Sequence, residues 1–492
     1  MRGPLATIGL VLFLGACTVG PDFQKPAPPK VEGYAPQPLP TATAKTPSPG
    51  GEAQRLVSGS NIPGQWWTLF HSTQLDGLID EALKANPDLE SAQASLRVAQ
   101  ENVRAQQGAY FPTVGANFTP SRNKTATGAL SPASSSGNPY YSLYTGQVTI
   151  SYVPDVFGLN RRTVESLQAQ ADAQRFALEA TYLTLTSNVV AAAIEEASLR
   201  GQIDATSDVI QAETESLHIL QRQLALGQVA GADVAAQEAA LAQARANLPP
   251  LEKQLAQERD LLKALLGRFP SNEPKARFDL AGLQLPQDLP VSLPSKLVEQ
   301  RPDIRAAEEQ LHSASAEVGV AIANMLPNIS LTANGGYAAN DMSHFFGPGT
   351  AFWSLAASVS QTLFDGGMLH HRTEAARDAF QEAAAQYRST VIAAFQNVAD
   401  ALHAVESDAN ALAAAADAEG AARTTLDITR RQLALGQIAY LALLNAEQTH
   451  QQAELNLVVA RAQRYADTAA LFEALGGGWW NRADVAAETP VR

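Results

Sequence analysis

Among 492 residues there is one cysteine, Cys17, and its setting defines the single covalent reaction the sequence advertises. With no second cysteine, neither an internal disulfide nor a cysteine-based metal site can form. Residues 1–16 carry Arg2, an apolar run from Leu5 to Leu14 and the small residues Gly15 and Ala16, the layout of a secretory signal ending at a cleavage site. That run is too short to span a bilayer. Leu14-Gly15-Ala16-Cys17 resembles a bacterial lipobox, in which the cysteine becomes the lipidated first residue of the mature protein. Thr18, standing where an Asp would hold a lipoprotein at the inner membrane, points to the outer membrane. The lipid on Cys17 is the only non-protein group expected.

Other chemistry is sparse. The sequence holds no phosphate-binding Gly-rich loop with its Lys, no Gly-x-Ser-x-Gly elbow and no His-Glu-x-x-His zinc helix, so an enzyme is not expected. His370-His371 with Glu374 one turn on has the composition of a metal site, but a polar helix start accounts for the same residues, and no metal is assigned. The formal charge of −14, which becomes −15 once Arg2 leaves with the signal, excludes a nucleic-acid binder and favours cations. Hydrophobic residues make up 46% of the chain but aromatics only 7%, so burial relies on small side chains, as in closely packed long helices.

The elements that would position any site come in two copies. Asn86-Pro87-Asp88-Leu89 matches Arg301-Pro302-Asp303-Ile304, and the seven-residue run from Arg222 to Gln228 recurs identically from Arg431 to Gln437. Each copy predicts a helix (88–108, 303–323), two alternating segments joined by a long loop, a long helix (163–226, 372–434) and a returning helix. Leu226-Gly227-Gln228 and Leu435-Gly436-Gln437 mark the turns, with Gly supplying the left-handed residue that ends a helix. Pro249-Pro250 predicts an interruption of the first returning helix only. Nine prolines between 21 and 49 predict an extended tether. The expected organisation is a signal (1–16), a lipid-anchored proline-rich tether (17–60), a first repeat (61–285), a second (286–480) and a polar tail (481–492).

Four strands of about ten residues cannot close on themselves, and a membrane barrel needs about eight or more, so several chains must share one barrel. Tyr140, Tyr141, Tyr144, Phe345, Phe346, Phe352 and Trp353 cluster at strand ends, either as an interfacial girdle or as ordinary hairpin aromatics.

The lipobox, Cys17-Thr18-Val19-Gly20-Pro21-Asp22-Phe23, Trp66-Trp67, the Asn/Arg-Pro-Asp repeat starts and the paired Leu-Gly-Gln tips together resemble an outer-membrane efflux factor of the TolC type, in the lipoprotein branch similar to OprM. The resemblance implies a mixed α+β membrane protein. It would be a homotrimer, with four strands per chain in a twelve-stranded barrel and long helical hairpins in a periplasmic tube. It implies a passive exit duct for small molecules, serving a periplasmic adaptor and an inner-membrane pump of the resistance-nodulation-division class. An exit duct for type I protein secretion shares the architecture, and a lipid-anchored structural coiled coil is the alternative from another class.

The resemblance also places a closed aperture beside the tips, where Leu441 and Asn445 align with the hydrophobic and acidic positions of the constricting rings. The family commonly has Asp where Asn445 stands. Asp233 matches a family aspartate, but Leu433 and Ile438 stand where its Tyr and Arg partners are expected. The aperture would then close by Leu441 with Leu444, by Asn445 side chains around the axis, or by a link from Asp233 to Arg430 or Arg431. Adaptor contact is expected at Leu226, Gly227, Gln228, Leu435, Gly436 and Gln437, which otherwise simply end helices.

Overall fold

The computed structural model describes residues 18–31, 33–36, 40–124, 140–483 and 485. Cys17 and the loop 125–139 lie outside them. The strands are β1 (Arg55–Ser58), β2 (Thr113–Lys124), β3 (Tyr140–Tyr152), β4 (Asp288–Val291), β5 (Asn328–Ala339) and β6 (Ala351–Ser360). The helices are α1 (Thr73–Ala85), α2 (Pro87–Gln107), α3 (Leu159–Ala225), α4 (Gly231–Leu265), α5 (Pro294–Gln300), α6 (Pro302–Ala323), α7 (Met368–Ala434) and α8 (Tyr440–Ala474). The order helix, strand, strand, 67-residue helix, 35-residue helix occurs twice, and the last two helices have the same lengths in both copies. At 1.5 Å per residue the long helices run about 100 Å.

Both long helices begin four residues earlier than the sequence pattern alone predicts, because an aspartate caps each. Asp155 accepts from the backbone N–H groups of Asn160 and Arg161, and Asp365 accepts from those of Gly367 and Leu369. Helix α4 runs unbroken through Pro249 and Pro250, so the expected interruption is absent. The Asn/Arg-Pro-Asp signatures close each repeat. Asn86 Nδ2 donates to the carbonyl of Leu265, the last residue of α4, and Arg301 Nη1 donates to that of Ala474, the last of α8. Different side chains thus satisfy the same orphan carbonyl.

Compactness divides the chain across the repeats rather than between them. One unit draws on residues 1–26, 96–174 and 307–387 and contains an antiparallel sheet in the order β2-β3-β5-β6. Thr113 pairs with Ser151, Tyr152 with Leu331 and Asn328 with Ser360, so the two hairpins join through β3 and β5. The outer edges of β2 and β6 carry no ladder among the described residues. Val114, Phe118, Trp353, Leu355 and Val359 are exposed. Phe345 is not part of a girdle: it is buried against Phe118, Tyr337 and Phe346, whereas Tyr140, Phe346 and Trp353 are exposed.

The other unit draws on residues 27–95, 175–306 and 388–492. Its core gathers Trp66, Trp67, Phe70, Leu75, Ile79, Val189, Val190, Leu402, Leu471 and Phe472, with Trp66 stacked on Phe472 at 5.4 Å. Strand β1 lies parallel to β4, and Arg55 makes a double hydrogen bond to Asp288. The proline-rich segment holds no helix among the described residues, as its composition demands, and part of it is docked. Buried Arg464 donates to the carbonyls of Gly50 and Glu52 and to the side chains of Thr43 and Gln54. At the other end of the chain Arg482 pairs with Glu179, so the start of the polar tail is docked too.

Candidate functional site

The two tips, both in the second unit, have the same construction. Gly227 and Gly436 adopt φ of 71° and 69°, and the next residue closes a six-residue ring, Gln228 N to Gln223 O and Gln437 N to Gln432 O, each 2.9 Å. This is a Schellman end, which a side chain at the glycine would strain. It leaves Leu226 and Leu435 each 72% exposed, and Gln228 and Gln437 exposed beside them.

Helix α8 starts at Tyr440, directly after the second tip, and presents Leu441, Ala442, Asn445, Gln448 and Thr449 on an exposed face. The spacing of three and four residues is that of one helix side. Leu444 is buried, so it belongs to the packing of the hairpin and cannot line an aperture with Leu441. Asp233 accepts from the backbone N–H of Ala230 at 3.2 Å and serves the start of its own helix. Arg430 instead reaches Glu447 at 3.4 Å, so the expected link from Asp233 to Arg430 is not made.

A different bridge joins the hairpins. Tyr440 Oη donates to Gln237 Oε1 at 2.6 Å, Gln237 Nε2 donates to the Glu213 carboxylate and, at 3.0 Å, to its backbone carbonyl, and Gln451 Nε2 reaches Glu213 Oε1 at 3.1 Å. Gln237 is fully buried and Glu213 is 2% exposed. The network therefore ties α3 and α4 to α8 through groups that have no water to replace a lost partner. Burial, and then the neighbouring Glu213 charge, push the Glu447 carboxyl above its usual range, while Arg430 opposes them. Burial also pushes the Tyr440 hydroxyl up, so it stays a donor at neutral pH.

None of Glu213, Gln237, Tyr440 and Gln451 stands out in sequence. One signal was available: Glu213 lies 14 residues before Gly227 and Gln237 ten after it, so a hairpin turning there brings them near the same level. His370 and His371 lie edge to face at 5.3 Å, while Glu374 is paired with Arg377.

The model of the outer membrane efflux protein family matches residues 78–268 and 293–477. The chain belongs to that family. It is 27% identical over 496 residues to the probable efflux pump outer membrane protein TtgC of Pseudomonas putida, covering all of both chains. Among solved structures it is similar to the outer-membrane channel OprN, with a TM-score of 0.83 at 27% identity, over 94% of this chain and 100% of that one. The open state of the Neisseria gonorrhoeae MtrE outer membrane channel matches with a TM-score of 0.80 at 27% identity, over 94% and 99% of the two chains. The repeat of strands, long helices and tips thus belongs to a family of outer-membrane efflux proteins.

Proposed function

We propose that the chain is the outer-membrane exit duct of a tripartite efflux system, a passive homotrimeric channel for small molecules that an inner-membrane pump delivers through a periplasmic adaptor. The observation that carries this reading is a four-stranded sheet whose two outer edges carry no ladder among the described residues, in a chain that also forms two matched helical hairpins. Edges of that kind need neighbours, and three copies supply twelve strands, enough to close a membrane barrel. The Ala-rich long helices allow close approach between copies, and a lipid on Cys17 adds a second hold on the outer membrane.

The two tips are the adaptor's docking points, through Leu226, Gly227 and Gln228 and through Leu435, Gly436 and Gln437. Their shared geometry gives six nearly equivalent sites per trimer, which suits a partner repeating about the axis. Leu441 and Asn445 face the axis and close the aperture, and the Tyr440–Gln237–Glu213 network holds them there. A pump of the resistance-nodulation-division class is the expected third component.

Native mass measurement in detergent tests the assembly, since a stable folded monomer contradicts it. Dye efflux from cells tests the docking role. With Gln228→Trp and Gln437→Trp together, efflux is expected to be lost at unchanged trimer yield, and undiminished efflux removes the tips from adaptor contact.

A further inference from the structure

In the first compact unit a cavity of about 380 Å³ lies where β3 turns into α3 and α6 turns into β5. Phe111, Val153, Val156, Phe157, Leu326 and Ile329 give it apolar walls. Three of its polar members are engaged with their own backbone surroundings, while Asn324 and Asn328, which also line it, are exposed. Asp155 caps α3, Asn160 Nδ2 donates to the carbonyl of Ala109, and the Thr113 hydroxyl donates to that of Ser151. The hollow is thus apolar over the larger part of its wall, and Phe111 and Val153 are exposed at its surface.

The first described residues of the chain run directly to this place. Val19 N donates to the carbonyl of Phe157, a wall residue, at 3.2 Å. Thr18 packs on Gly158 so closely that a side chain there would meet Thr18 Cγ2 at 2.8 Å. A built clasp holds this end. Arg162, 3% exposed, donates from Nε to the carbonyl of Val19 at 3.0 Å and from Nη2 to Asp22 at 2.7 Å. Gly20, at φ 93°, sits against Gly319, where an added Cβ would come within 2.4 Å of the Gly319 Cα. Phe23 stacks on His312 at 4.3 Å and 14°, and His312 is itself bonded to Glu165 and Glu309. Such a dock fixes position, which a plain tether would not require.

We propose that the cavity is an acyl-chain site whose occupant is a fatty acyl chain carried by Cys17. Cys17 is the residue next to Thr18, so at most about 3.6 Å of backbone separates it from the dock. A chain of methylenes matches the walls and needs no hydrogen-bond partner. The inference rests on the lipidation of Cys17, and it goes further: the clasp aims one acyl chain into the protein at the strand–helix corner instead of leaving it free in the bilayer.

The test uses the full chain in cells fed a palmitate analogue bearing a diazirine, with illumination before purification and mapping of adducts by mass spectrometry. Adducts are expected on the peptides carrying Val156-Phe157 and Leu326 to Ile329. Gly20→Ala, which strains a positive φ and fills the contact with Gly319, should lower them about tenfold at unchanged trimer yield and Cys17 acylation. Val156→Trp, which fills the cavity and leaves the clasp intact, should lower them as well. An acylated Cys17 whose adducts fall only on phospholipid or on outward strand residues such as Val114 overturns the cavity site while leaving lipidation standing. An unmodified Cys17 overturns both.

Discussion

Removing one hydroxyl from the tip network tests whether that network holds the aperture or merely packs the helices. In Tyr440→Phe the 2.6 Å bond to Gln237 is lost, and Gln237 Oε1 stays fully buried with no other donor among the described residues. A neutral hydrogen bond whose partner is stranded in this way costs about 1.5 kcal/mol. If three protomers open in concert, the closed state loses about 4.5 kcal/mol, a shift of about three orders of magnitude in the closed-to-open ratio. Single-channel recording in planar bilayers should then show much longer open dwells than in the parent. Gln237→Leu should act similarly, and the double variant should be little worse than either, because both remove one link. The reasoning fails if Tyr440→Phe lowers the melting temperature while the resting open probability stays at the parent's value. The bond would then stabilise the hairpins without restraining the opening.

Other perturbations separate further parts of the molecule. Asp408 stands against Asp467, and burial, then that hydrogen bond, raise its pKa from 3.8 to about 7 against the opposing charge of Arg464. The folded state therefore keeps a proton that the unfolded chain releases near pH 4, so stability falls as pH rises from about 4 to about 7, and Asp408→Asn should flatten that slope in thermal unfolding. Arg464→Met strips four hydrogen bonds from the docked segment, and limited proteolysis between Thr41 and Gln54 should speed up while the trimer persists. At the exposed face of α8, Leu441→Ala should enlarge resting conductance, and Asn445→Asp should introduce block by divalent or trivalent cations from the periplasmic side. Strong cation block of the unmodified channel would move the acidic ring to other residues.

The architecture was legible because it is written in periodicities and in residues with few conformational options. Gly227 and Gly436 announce helix ends through backbone sterics alone, and alternation in β2, β3, β5 and β6 follows from the two-residue pleat. Where the structure departs from the sequence pattern, the cause is local chemistry. Asp155 and Asp365 extend the long helices by capping them, and Pro249-Pro250 costs α4 hydrogen bonds without ending it, since the flanking helix on both sides fixes the backbone. Arg464 gives no sign in sequence that it grips a segment more than 400 residues away.

The tip region was the least legible because its bridge is made of ordinary residues. A charged lock can be sought as an opposite pair near a turn, and on that search Asp233 and Arg430 are natural partners. Helix geometry gives Asp233 a nearer partner, the free N–H of Ala230 at the start of α4. It also puts Glu447 within reach of Arg430 on the facing helix of the same hairpin. What joins the hairpins is then a tyrosine, two glutamines and a buried glutamate, each unremarkable in composition. Amide and hydroxyl groups bond in many directions, so spacing alone does not mark their partners. Burial supplies their force: at a site closed to water each group must find a protein partner or none. Asn445 fits the same arrangement, because an amide on the exposed face of α8 adds no charge there. A tip fastened by hydrogen bonds beneath the surface has less need of an ionic ring at the axis, and its closure should respond weakly to salt, because screening acts on exposed charges far more than on buried groups.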